Sequence, residues 1–82
     1  MAITITRSTQ PSTFNDGVGR TTVVRNGSGQ HFLISEVHRQ LAPGSRIDET
    51  LVFPCTQNGT VTEWSEVFSG DSIEDVLQNF RG

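Results

Sequence analysis

Residues 49–70 read ETLVFPCTQNGTVTEWSEVFSG, two runs rich in β-branched and aromatic residues on either side of Asn58-Gly59. An Asn-Gly pair between such runs is the strongest short-range sign of a β-hairpin, because both central residues of a type I′ turn need positive φ. With Asn58 and Gly59 as the turn, Gln57 pairs with Thr60. Counting outward sets Cys55 against Thr62, Phe53 against Trp64 and Leu51 against Glu66. The two strands are then residues 49–56 and 60–68, and Phe53 meets Trp64 on one face, a contact worth about 0.2–1 kcal/mol. The same count puts Pro54 at a non-hydrogen-bonded pair, its missing N–H turned away from the hairpin partner. A strand on that other side must stop, bulge or be absent near Pro54.

Working outward toward the N-terminus, Ala42-Pro43-Gly44-Ser45 is a turn that delivers the chain into this hairpin. Residues 30–41 carry two patterns at once. Leu33, Ile34, Val37 and Leu41 fall at helical spacing, whereas Phe32, Ile34 and the β-branched residues around them suit an extended segment. A strand over 31–39 is preferred, because it completes a second hairpin with a strand over 21–25 across Asn26-Gly27-Ser28-Gly29. Ile3-Thr4-Ile5-Thr6 alternates apolar and polar, which predicts a short edge strand over 2–6. Between them residues 7–20 read as a long loop, polar and broken by Pro11, Gly17 and Gly19, with Phe14 and Val18 as its anchors.

Gly17-Val18-Gly19-Arg20-Thr21-Thr22 resembles the end of a phosphate-binding loop, but Phe14 stands where the first glycine belongs and Arg20 replaces the lysine. A strand-like run also follows where a helix is needed. What survives of that reading is a looser nest of backbone N–H groups around Gly17 and Gly19 that would suit an anion. Beyond Gly70 a helix is predicted over 72–81. Ser72 and Asp75 form a capping-box-like pair, Glu74 and Asp75 favour the helix N-terminus, and Ile73, Val76, Leu77 and Phe80 make one apolar stripe. So short a helix needs an apolar surface to dock on, and the face bearing Phe53 and Trp64 is the expected one. The fold class that results is α+β, a small antiparallel sheet of three to five strands with one C-terminal helix packed on it.

The chain of 82 residues is 33% hydrophobic and has one cysteine and two histidines. That makes one domain with a small core, no intrachain disulfide and too few ligands for the common zinc sets, so self-association is the expected source of added stability. No apolar run is long enough to span a bilayer, and the first residues lack the apolar core of a secretory signal. The expectation is a protein of a reducing cytoplasm that binds no membrane. Asn26-Gly27-Ser28 and Asn58-Gly59-Thr60 are accordingly turns rather than glycosylation sites.

The net charge of −3 divides unevenly. Residues 1–46 carry Arg7, Arg20, Arg25, Arg39 and Arg46 against Asp16 and Glu36; residues 47–82 carry Arg81 against seven carboxylates. Oppositely charged halves allow two copies to meet head to tail, or an arginine cluster to hold a small anion, or simple neutralisation across the sheet. All basic side chains are arginines, whose planar guanidinium suits bidentate contacts to phosphate or carboxylate. The acidic balance, with pI near 5.1, disfavours nucleic acid as a partner.

For catalysis the residue types permit little beyond Cys55 with a histidine base, and Cys55 in an apolar strand points to burial, not to an activated thiolate. His31 and His38 read as solvated or hydrogen-bonded imidazoles. The expectation is a non-enzyme without cofactor or metal. Arg20, Arg25, Arg39 and Arg46 are the candidate ligand-binding residues, with Trp64 as a stacking surface; hairpin core is the competing role for Trp64.

FLISEV (32–37), ETLVFPC (49–55) and GTVTEWSEV (59–67) together resemble small accessory proteins encoded by tailed bacteriophages, which carry an E-T-(L/M)-V-F strand, a glycine turn and a (D/E)-W-x-E strand. The likeness covers about a third of the chain and lies in structural residues, so no functional residue is carried over. It implies a protein of an infected bacterial host's cytoplasm that acts without catalysis. Such a protein would cap a host or defence protein, or sequester a nucleotide-like signal within a homo-oligomer. A structural component of the phage particle, assembling through sheet edges, is the alternative.

Overall fold

The computed structural model describes residues 3–10, 12–14 and 17–81, without the side chains of Phe14 and Leu41. Expectations that fall on Ala2, Pro11, Asp16 or Gly82, or on those two side chains, lie outside the described residues. The elements are β1 (Thr4–Ser8), β2 (Ser12–Phe14), β3 (Gly17–Arg25), β4 (His31–Ala42), β5 (Ser45–Cys55), β6 (Phe68–Gly70) and α1 (Ile73–Asn79). All pairings are antiparallel, in the order β1-β3-β4-β5-β6, with β2 also on β3. The α+β layout stands, with a sheet of six strands rather than three to five. Residues 31–39 are strand, which settles the two-pattern segment, and they pair with β3 across residues 26–30 as expected.

Both hairpin turns are the same object. Asn26 N–H donates to the Gln30 carbonyl and Gly29 N–H to the Asn26 carbonyl; Thr56, Gly59 and Thr60 repeat the pattern thirty residues on. The left-handed residue is Gly29 in one and Gly59 in the other, at φ 86° and 88°, and no described non-glycine residue has positive φ. These are three-residue loops closed by a glycine, not the two-residue type I′ turn expected at Asn58-Gly59. The extra loop residue moves the register, so that Cys55 pairs with Val61 rather than with Thr62.

The second strand of the central hairpin departs further. Thr62 N–H still reaches the Pro54 carbonyl, and Val67 N–H reaches that of Val52, but the chain between them leaves the ladder. The expected strand over 60–68 is therefore only Phe68–Gly70, and Leu51 lies opposite Ser69 instead of Glu66. Pro54 supplies the physical reason, on the side opposite to that expected. Its carbonyl faces Thr62, so its missing N–H faces that way too, and the ladder opens there while β4 runs past Pro54 without interruption.

Residues 7–20 are not a long loop. Arg7 and Ser8 belong to β1, residues 12–14 form β2, and β3 begins at Gly17. Ser12, Thr13 and Phe14 lie against Gly19, Val18 and Gly17, which in turn lie against β4. Gly17 is required at this crossing, since a Cβ there would sit 2.0 Å from the His38 carbonyl oxygen.

Side chains alternate along β3, β4 and β5 and line up in cross-strand rows. One side of the sheet carries Val24–Phe32–Pro54, Thr22–Ile34–Val52, Arg20–Glu36–Thr50 and Val18–His38–Asp48; the other carries Arg25–His31–Cys55, Val23–Leu33–Phe53 and Gly17–Arg39–Ile47. α1 docks on the first side. Val76 and Phe80 close over Val24, Phe32, Ile34 and Val52, with Ile73, Leu77 and Phe68 packed at the margin. The Phe80 ring meets Phe32 edge-on at 4.9 Å and Phe68 at 5.4 Å. The predicted apolar stripe is thus the buried one, but its target is the face opposite Phe53 and Trp64. The helix is shorter than 72–81, capped by the Ser72 side chain accepting from Asp75 N–H, as the sequence pair suggests.

The far side is covered differently. Gly59 lies against Val23, Arg7 donates to the Asn58 carbonyl, and Trp64 folds its ring against Phe53 at 5.3 Å. β5 alone, at about 3.3 Å per residue, accounts for most of the molecule's 43 Å length against 23 and 21 Å across. The helix and the 56–67 loop cover one end of the strands; the other end projects as an arm.

Candidate functional site

The arm begins where the apolar rows stop. On the helix side of the sheet, Arg20 on β3 holds Glu36 on β4 at 2.9 Å through both Nε and Nη2, and Glu36 is buried beneath it. His38, two residues on and therefore on the same side, places Nδ1 2.8 Å from the Asp48 carboxylate on β5 and Nε2 3.8 Å from Glu36. Arg46 closes the series, its Nε at 3.0 Å from Asp48. The hydrogen bond from His38 is the main reason that the Asp48 carboxyl titrates below its ordinary value, with Arg46 adding to it.

Each link follows from strand geometry. Residues two apart along a strand share a side, and β4 pairs His38 with Asp48 and Glu36 with Thr50. A bulge between Gln40 and Ala42 sets that register. Counting from the two-residue Pro43-Gly44 turn without it would put His38 opposite Glu49, on the wrong side. His38, expected as a solvated or hydrogen-bonded imidazole, is hydrogen-bonded; its partner Asp48 and the neighbouring Glu36 are brought to it only by this register. The spacing of acid and histidine at 36 and 38, and of arginine and acid at 46 and 48, was the signal that could have found them.

The five candidate binding residues do not converge. Arg20 and Arg46 share the helix side and are joined through Glu36, His38 and Asp48. Arg39 is on the other side, in the row with Gly17 and Ile47, and Arg25 stands at the opposite end of β3 beside His31 and Thr4. Trp64 lies in the irregular stretch after the hairpin turn, 77% exposed, so it is not the hairpin core that the competing reading made it. At the end of the arm Arg39 and Arg46 do approach a common feature, a wide shallow depression of about 600 Å³ that His38, Gln40 and Pro43 also line.

The nest of N–H groups expected around Gly17 and Gly19 is not formed. Both glycines sit in a strand with neighbours on each side, so their amides belong to ladders. A second depression, between Thr9, Arg20, Thr21 and Glu36, follows the seam of β3 and β4.

The pairing of β4 with β5 brings His31 opposite Cys55, with Arg25 next in the row. No hydrogen bond joins thiol and imidazole among the described residues. Burial pushes the Cys55 thiol above its ordinary value, with Arg7 opposing only in part, which is the reverse of what a nucleophilic thiolate needs. The described residues contain no group of three or more acidic, histidine or cysteine side chains placed to hold a metal ion. No described helix is long and apolar enough to cross a membrane. Compared with models of known protein families, with characterised proteins and with solved structures, the chain gives no match.

Proposed function

We propose that this protein is a non-catalytic binding module that works as a homo-oligomer, inhibiting or sequestering a partner, and that the projecting arm is its working surface. The observation that carries the reading is the depression at the arm's end, where Arg39 and Arg46 from opposite sides of the sheet meet one concavity together with His38. Guanidinium groups at the mouth of a shallow, open site suit a small anion with phosphate or carboxylate groups, held by charge and hydrogen bonds rather than by enclosure. A raised thiol and an imidazole already engaged by a carboxylate support binding over chemistry. The likeness of residues 32–37, 49–55 and 59–67 to phage accessory proteins supports the same class and suggests a nucleotide-like ligand in an infected bacterial cytoplasm.

Thermal unfolding against a panel of nucleotides, cyclic dinucleotides and inorganic phosphate tests it. A ligand at 100 times its Kd adds about 2.7 kcal/mol of stability, a plain rise in Tm, and Arg46→Ala should abolish that rise. If none of the panel moves Tm, the anion reading falls, and capture of a host protein by the same surface becomes the reading to test.

A second reading, a component of a phage particle, draws on a different feature. Along residues 45–49 β5 has a strand on one side only among the described residues, a bare edge suited to assembly.

A further inference from the structure

That bare edge presents one basic and one acidic residue, Arg46 and Asp48, at alternate positions. β6 covers only Thr50, Leu51 and Val52, so Ser45 to Glu49 pair with β4 and with no other described strand. Val52 and Pro54 turn their carbonyls away from β4, toward Val67 and Thr62, and the β4–β5 register is unbroken from Arg46 to Cys55. By alternation, Arg46 and Asp48 present their backbone N–H and C=O outward, while Ile47 spends its own on β4.

Proteins usually blunt such edges with bulges, prolines, short strands or repelling charges. The opposite edge of this sheet is blunted in that way. β1 has a bulge between Ile5 and Arg7, and β2 is three residues long. Residues 45–49 carry no bulge and no proline, and their two outward-facing positions, Arg46 and Asp48, are opposite in charge.

We infer that two copies of the chain pair antiparallel through residues 45–49, β5 against β5, about a two-fold axis at Ile47. In that register Arg46 faces Asp48 of the second copy, and the two exchange both of their outward backbone hydrogen bonds. Ile47, 42% exposed in the single chain, meets its own counterpart at a closely spaced non-hydrogen-bonded pair. No neighbouring register does as well. A shift of one residue sets outward-facing groups against inward-facing ones. A shift of two sets Arg46 against Arg46, or Asp48 against Asp48, and like charges directly opposite destabilise. Ser45 of the second copy falls opposite Glu49, one residue short of Thr50, where β6 begins to cover β5, so the added strand fills the length of edge that β6 leaves open. The pairing rests on the self-association in the proposed function and names its surface.

Light scattering across a concentration series should give twice the chain mass of 9.0 kDa. Asp48→Arg alone and Arg46→Asp alone should each give the single-chain mass with an unchanged circular dichroism spectrum. The two together should restore the dimer, since each again faces its opposite across the axis. Should a charge variant fail to fold, Ile47→Cys in a Cys55→Ser background provides an independent readout. It should cross-link under mild oxidation, because facing Cα atoms at such a pair lie within disulfide range, while Glu49→Cys should not. A monomer at every concentration overturns the inference and the self-association beneath it. A dimer that survives both single charge reversals and does not cross-link at position 47 overturns this edge alone.

Discussion

Toward one end, β3, β4 and β5 lay Val24, Phe32, Ile34 and Val52 beneath the helix; toward the other, the same strands in the same register carry Arg20, His38, Asp48 and Arg46, with the Glu36 carboxylate buried beneath Arg20. The backbone pairing does not distinguish the two halves. What differs is how the side chains are satisfied. Apolar rows need a cover, and the helix supplies it. Charged rows are matched across the strands, carboxylate between guanidinium and imidazole, and need none. The sheet can therefore extend well past its core, because hydrogen bonds to β4 and cross-strand pairs stabilise the arm where the hydrophobic effect does not reach.

Removing the cover should show the largest effect. Phe80→Ala takes away the ring that bridges Phe32 and Phe68 and should cost about 3–5 kcal/mol in denaturant unfolding. A loss below 1 kcal/mol would mean that the apolar half does not depend on the helix, and the contrast drawn above would be wrong. Within the arm the backbone is the sensitive part. Gly17→Ala drives a methyl group into the His38 carbonyl and should cost about 1–3 kcal/mol, with faster amide exchange at the ends of β3 and β4 rather than under the helix.

Thr50 sits on the boundary, fully buried, and its hydroxyl has no hydrogen-bond partner among the described residues. Thr50→Val extends the apolar half by one row and should stabilise the protein by up to about 1 kcal/mol, read as a rise in Tm. The smallest effect belongs to Asp48. Its folded pKa lies below the ordinary 3.8, so its contribution is complete above that value and is lost as pH falls through the folded pKa. Asp48→Asn should flatten the stability profile in that acid range and leave the rest of the profile's shape unaltered.

The legible parts of the sequence were those with local causes. The Ser72 cap and the 73–80 stripe marked the helix, Asn26 to Gly29 and Pro43-Gly44 marked turns, and hydrophobic alternation marked β1. Asn58-Gly59 marked a turn correctly but not its type, because Asn26 and Thr56 head the same three-residue loop with a different residue before the closing glycine. A single extra loop residue then displaced every partner in the expected hairpin. Of the candidate site, the arginines could be named but not located. Which side of the sheet an arginine occupies turns on registers that a bulge between Gln40 and Ala42 resets.

By itself, then, the order of residues determined where the chain reverses, which helix face is apolar and only part of the extended framework, since these depend on neighbours a few positions away. The tertiary structure alone decided the rest. It chose the face the helix covers, opened the ladder beside Pro54, and brought His38 to Asp48. Those outcomes depend on pairing between distant segments, where a shift of one residue exchanges the two sides of a strand.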